Sequence, residues 1–179
     1  MRRVLLTGLS GTGKSTLVRE LAARGYKAID LDGDAWSHWV EVPEDPAGPA
    51  PLSPDSPARV WQTRDWLWRE DLVRDLLATE DAPILFVSGC APNQSAFRRQ
   101  FDHVVLLTAP PPVIVNRLAT RTTNDYGKHP DELARVLEQV QSVEPLLRRS
   151  ASHEVDTSAP LDDVVEQILS HVLPGHPTS

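Results

Sequence analysis

Apolar residues come in short runs separated by stretches of helical spacing, and this alternation continues along nearly the whole chain. Val4-Leu5-Leu6-Thr7, Ile84-Leu85-Phe86-Val87 and Val104-Val105-Leu106-Leu107 are runs of the kind made by strands covered on both faces. With two weaker runs they predict strands over 2–7, 26–31, 83–88, 103–108 and 153–156. Between them apolar positions recur three and four residues apart, predicting helices over 14–24, 58–79, 111–121, 130–149 and 160–172. The last opens on Ser158, Pro160, Asp162 and Asp163, residue types that favour a helix start. Such alternation predicts an α/β fold, a parallel sheet with helices on both faces.

Two stretches break the pattern. Residues 42–57 hold six prolines (43, 46, 49, 51, 54 and 57) and few large apolar groups, which predicts a mobile or extended loop without a strand. Residues 122–130 read Thr-Thr-Asn-Asp-Tyr-Gly-Lys-His-Pro, a polar connection between two helices. The chain of 179 residues, 40% hydrophobic, suffices for one α/β domain over 1–173, with 174–179 expected to be a disordered tail. The net charge of −7 argues against a nucleic-acid surface, where a basic stripe is needed. A single cysteine, Cys90, excludes an internal disulfide and fits a reducing cytoplasm. The apolar run behind Met1-Arg2-Arg3 is too short for a signal peptide, and no run approaches a membrane span.

The first run leads directly into Gly8-Leu9-Ser10-Gly11-Thr12-Gly13-Lys14-Ser15-Thr16, the spacing G-x-x-x-x-G-K-[ST] between a strand and a helix. The glycines let the backbone turn tightly and aim successive N–H groups at a phosphate. The helix that follows adds the positive end of its dipole. Gly8, Ser10, Gly11, Thr12, Gly13, Lys14, Ser15 and Thr16 are therefore the expected ATP-binding residues. Lys14 is expected on the β- and γ-phosphates and the Ser15 hydroxyl on Mg²⁺.

After the second strand comes Asp30-Leu31-Asp32-Gly33-Asp34, at the sheet edge where ligands of parallel α/β folds bind. A solvated acidic turn would also explain it, since Asp-Gly is a common turn pair. Beside a phosphate loop such acids can orient Mg²⁺ or accept a proton from a hydroxyl. Asp30 falls within the predicted strand. Asp32 is expected to be the metal-associated acid, and Asp34, furthest past the strand, the catalytic base. The third strand ends Val87-Ser88-Gly89 without an acid, so the metal's acidic partner must come from elsewhere.

Here the chain resembles the small P-loop kinases, a group that includes adenylate, shikimate, gluconate and adenylylsulfate kinases. The phosphate loop followed by Leu31-Asp32-Gly33-Asp34 looks most like adenylylsulfate and gluconate kinases. Arg117, Arg121 and the final strand-loop-helix look more like shikimate and adenylate kinases. The lid sequence characteristic of adenylylsulfate kinases and the full arginine set of adenylate kinases are absent. The resemblance implies a five-stranded parallel sheet, an acceptor-binding segment near 34–80 and a lid near 121–130.

Arg117 and Arg121 lie four positions apart on a predicted helix, so they are expected on one face just before the polar connection. Lid cations can stabilise a transferring phosphoryl group, although solvated surface arginines read the same way. By resemblance Arg117 stacks on adenine, Arg121 reaches the phosphates, and the loop around Pro160 cradles the base.

All five tryptophans fall between residues 36 and 68. Trp68, with Leu72 and Leu76, repeats at helical spacing and reads as core. Trp36 and Trp39 directly follow the acids and are candidates for an acceptor wall, since aromatic faces suit a planar base or the face of a sugar. His38, four positions after Asp34, could bond an acceptor hydroxyl if a helix begins there. Arg64 could meet an anionic acceptor or simply pair with neighbouring acids. Gly89 and Asn93 lie beyond strand three at the same edge and could position a polyhydroxylated acceptor.

These features together predict a cytoplasmic, ATP- and Mg²⁺-dependent kinase acting on a hydroxyl of a small molecule, without nucleic-acid or membrane partners. A nucleoside monophosphate kinase, or a nucleotide-gated ATPase switch with a protein partner, are the alternatives.

Overall fold

The computed structural model describes residues 1–43 and 50–173. All five predicted strands are present: β1 (Arg2–Thr7), β2 (Lys27–Asp30), β5 (Ile84–Ser88), β6 (His103–Thr108) and β7 (His153–Asp156). They pair in parallel in the order β2-β5-β1-β6-β7. The period of two divides each strand between the faces. On one face Val4, Leu6, Phe86, Val105 and Leu107 pack with Leu17 and Leu21 of α1 (Lys14–Ala23) and Val165 and Ile168 of α7 (Leu161–Val172). On the other, Leu5, Leu85, Val87 and Val104 pack with Val73, Leu76 and Leu77 of α3 (Glu70–Leu77) and with Phe97. The apolar runs are continuous because neither face of the sheet meets water.

The predicted helix over 58–79 is formed only in its last part, as α3. A 3₁₀ turn at Pro57–Arg59 and a single helical turn, α2 (Val60–Thr63), lead into a strand, β4 (Arg64–Trp68), before α3 begins. β4 pairs antiparallel with β3 (Ser37–Glu41), a strand for which the sequence pattern gave no signal. The reason lies in the pairing. Arg64-Asp65-Trp66-Leu67-Trp68 can run as an extended segment with Trp66 set opposite Trp39, and cross-strand aromatic pairs stabilise a ladder more than isolated helical spacing stabilises a helix. His38 is therefore a strand residue opposite Leu67, not a helical neighbour of Asp34. Trp68 is core as expected, 1% exposed, but from the end of a strand.

The predicted 130–149 helix is divided into α5 (Pro130–Ser142) and α6 (Glu144–Ser150). Pro145 has no backbone N–H to donate to the Gln141 carbonyl and its ring crowds that carbonyl, so the run breaks just before it, at Val143. α4 (Pro111–Thr120) ends one residue before Arg121, which is extended at φ −64°, ψ 146°. Arg117 and Arg121 thus do not share a helical face. The proline-rich loop lies partly, and the expected tail wholly, outside the described residues; among those described, 50–56 hold no strand. No helix among the described residues is long and apolar enough to cross a membrane.

Candidate active site

Every strand of the large sheet delivers its C-terminal end to one edge, so the segments after β1, β2, β5 and β7 converge there. After β1 the chain turns through Gly8–Gly13. Gly11 and Gly13 have φ of 85° and 92°, a region that side chains disfavour, and Gly13 is the residue from which α1 starts. No side chain caps that helix start, so its first N–H groups are left to a ligand. Thr12 is fully buried and braces the loop from within, its hydroxyl donating to the Leu9 carbonyl at 2.8 Å. Ser10 sits half-buried on the loop, while Ser15 and Thr16 face outward at the helix start.

Lys14 is only 8% exposed. Its ammonium donates to the Gly8 carbonyl at 2.8 Å and lies 3.4 Å from a carboxylate oxygen of Asp32. Burial opposes its charge, but Asp32, Cys90 and Asp30 together outweigh burial and hold it above the ordinary lysine range. A permanently charged ammonium set among loop carbonyls is the donor set a polyphosphate needs.

The acids do not take the places their order suggested. β5 lies between β1 and β2, so a group from β2 must cross the end of β5 to reach the loop. Asp32 makes that crossing over Gly89. A Cβ on Gly89 would lie 3.0 Å from Asp32 Oδ1 and 2.9 Å from the Trp68 ring. With no side chain there, Asp32 reaches Lys14 through one oxygen and accepts the Cys90 N–H at 3.0 Å through the other. Asp30 accepts the Ser15 hydroxyl at 2.6 Å and the Asp32 N–H at 3.1 Å. Asp34 stands exposed in the turn before β3. Asp30 is therefore the acid joined to the Ser15 hydroxyl, where Asp32 was expected, and Asp32 is the acid against Lys14.

The other candidates divide. Arg117 donates to the Gly11 carbonyl at 3.3 Å and to the Thr157 hydroxyl at 2.9 Å, tying the phosphate loop to the segment after β7. Thr157, expected only as part of the Asp156–Pro160 segment around the base, is the hub of this link: its hydroxyl is 2.8 Å from the Thr12 carbonyl and 3.0 Å from that of Thr108. Its place directly after Asp156, at the end of the last strand, was the signal available. Pro160 is exposed at the start of α7. Arg121 turns back to donate to the Tyr126 carbonyl, its Nε–H is buried without a partner, and burial lowers its affinity for a proton.

Asn93 is engaged by the fold. Its amide oxygen accepts the Trp68 N–H at 3.1 Å and its NH₂ donates to the Trp68 carbonyl at 3.0 Å, so both ends imitate a strand partner. Arg64 pairs with Glu41 at 3.5 Å. Trp36 is half-buried against the core, and its carbonyl accepts the Arg69 N–H at 2.7 Å. Trp39 is 38% exposed. His38 is half-buried. Burial raises the Cys90 thiol above its ordinary range despite the nearby Lys14, so it remains a neutral thiol.

A family model described as an AAA domain matches residues 4–138. A shikimate kinase of Salinibacter ruber is 31% identical over 95% of this chain and 84% of its own length. A dephospho-CoA kinase of Deinococcus radiodurans is 30% identical over 93% of this chain and 89% of its own. The chain belongs to the small P-loop kinases. The fold of this kinase agrees: a shikimate kinase from Acinetobacter baumannii solved with shikimate superposes with a TM-score of 0.63 at 20% identity, covering 97% of this chain and 93% of that one. A gluconokinase from Sinorhizobium meliloti gives 0.53 at 20% identity, covering 96% and 91%.

Proposed function

We propose that this P-loop kinase transfers the γ-phosphoryl group of ATP to a hydroxyl of a small molecule, with Asp32 as the base. The observation that carries this reading is the approach of Asp32 to Lys14 at 3.4 Å across Gly89, with the acid held by the Cys90 N–H. This carboxylate lies beside Lys14, and the Trp66 indole of the β3–β4 insertion holds the Asp32 main-chain carbonyl, which supports an acceptor site between the phosphate loop and that insertion. Lys14 and the first N–H groups of α1 hold the β- and γ-phosphates. Arg117, fixed by the Gly11 carbonyl and Thr157, offers its guanidinium face to adenine. Ser15 and Asp30 are the residues that would hold Mg²⁺. The ion, when bound, neutralises phosphate charge. The acceptor oxygen forms its bond to γ-phosphorus as the bond to the β–γ bridging oxygen breaks; the hydroxyl proton passes to Asp32 and ADP leaves. Arg121, with its unpaired Nε–H, is the lid cation that meets the transferring charge on closure.

The test is ADP release from ATP·Mg²⁺, alone and with pooled hydroxyl compounds, in wild type, Asp32→Asn and Asp34→Asn. Acceptor-stimulated turnover that falls at least about 10²-fold in Asp32→Asn and stays near wild type in Asp34→Asn supports the assignment. The opposite pattern returns the base to Asp34. Turnover that no acceptor changes turns the reading to an ATPase switch.

A further inference from the structure

The β3–β4 insertion carries more aromatic surface than its own packing uses. Trp66 Nε1 donates to the Asp32 main-chain carbonyl at 3.0 Å, so an aromatic series starts at the proposed base. Trp39, opposite Trp66 in the ladder, lies 5.0 Å from it between ring centroids. Trp61 of α2 follows at 4.6 Å from Trp39, and Tyr126 of the 121–130 connection closes the series 5.5 Å from Trp61. These four rings come from β4, β3, α2 and the 121–130 connection, while Trp36 and Trp68 pack in the core. Within the series Trp39 remains 38% exposed. Unlike the singly exposed Leu72, Leu146 and Leu161, this open indole belongs to a cluster of rings, and a further aromatic or apolar face could extend that cluster.

The charged groups near the wall are engaged with the protein. The Arg135 guanidinium sits 5.0 Å over the Trp61 ring, Arg64 pairs with Glu41, and Arg121 donates to the Tyr126 carbonyl. Among the described residues the Nε–H groups of Arg121 and Arg135 have no partner but are buried, so a carboxylate or phosphate on the acceptor would have to uncover them or displace one of these contacts, whereas a neutral ring can lie on the exposed part of Trp39. We infer that the acceptor carries a planar, uncharged ring laid against Trp39, one indole's width from the hydroxyl that meets Asp32. A nucleoside or a neutral aryl alcohol has this form. The inference rests on the acceptor reading above and narrows it.

The test compares three acceptor sets in the ADP-release assay with the full chain: neutral nucleosides and aryl alcohols; gluconate, shikimate and ring-free polyols; and nucleoside monophosphates. Stimulation by the first set is expected. For the active compound, Trp39→Ala should raise KM roughly three- to ten-fold with kcat within about twofold, and Trp39→Phe should recover most of the loss. Quenching of the wild-type tryptophan emission by the same compound is expected as well, and needs no variant. Stimulation confined to the second or third set overturns the ring inference and leaves the kinase reading in place. An unchanged KM in a folded Trp39→Ala, or emission that the active acceptor leaves unaltered, also overturns it. No stimulation by any set overturns both.

Discussion

Replacing Gly89 by alanine tests the central feature of the site, a carboxylate that reaches the phosphate loop across a neighbouring strand. The added methyl would lie 2.9 Å from Trp68 Cζ2, 3.0 Å from Trp68 Nε1 and 3.0 Å from Asp32 Oδ1. Carbon contacts are comfortable only from about 3.5 Å, so each neighbour would have to yield by about half an ångström. Trp68 is 1% exposed and packs on Phe97 at 5.9 Å between centroids, so it has little room. The Asp32 side chain, 34% exposed, gives way more easily and moves off Lys14. Overpacking of this kind costs about 1–3 kcal/mol, and in a domain of this size each kcal/mol lowers Tm by roughly 2–4 °C. A displaced base should cost about 10²-fold in acceptor-stimulated turnover, because a shift near 1 Å is enough to spoil an in-line geometry. Nucleotide binding should change far less, since Gly8–Gly13 are untouched. Calorimetric melting, nucleotide titration and ADP release together separate these effects. A Gly89→Ala protein with wild-type Tm and wild-type turnover would refute the account of how Asp32 reaches Lys14.

Arg117→Lys keeps the charge but cannot span Gly11 and Thr157 together, so nucleotide affinity should weaken by roughly tenfold in a binding titration; unchanged affinity would remove its proposed adenine and loop-pinning role. At the opposite edge of the sheet, His153 stacks on His171 at 4.6 Å and meets His103 at 3.3 Å. Burial, then His171 and His103, hold His153 below the ordinary 6.5; burial and Arg2 do the same for His103, with Asp102 opposing. Since the unfolded chain takes up these protons first, the neutral stack's contribution is complete above pH 6.5 and is lost as pH falls through the native values. Urea unfolding between pH 8 and 5 should show less acid destabilisation in His153→Gln than in wild type, and parallel curves would count against the stack.

The phosphate loop and the five large-sheet strands were legible because both are local signals. Val4–Thr7 and Ile84–Ser88 are apolar on both faces wherever their neighbours lie, and Gly11 and Gly13 are required by the loop's own backbone angles. The hairpin was not legible. Trp68, Leu72 and Leu76 fit helical spacing, yet Trp68 ends a strand and the other two belong to α3, and only the partner strand at 37–41 distinguishes the two outcomes. In the sequence Asn93 reads as an amide free to position an acceptor, but in the fold Trp68 occupies both its ends. Thr157 carried little signal, because a threonine after a strand is ordinary until the carbonyls it joins are adjacent.

By itself the sequence determined that this chain builds a parallel α/β sheet with a phosphate loop at its leading edge, since periodicity and glycine backbone freedom act within a few residues. It also brought three acids to that edge. Which acid meets the lysine was decided only by the tertiary structure. β5 enters between β1 and β2 and is followed at once by Gly89, which has no side chain, so Asp32 can cross to Lys14 while Asp30 stays beside Ser15 and Asp34 faces solvent. Distances across a sheet depend on strand order, and strand order is set by packing between segments far apart in the chain.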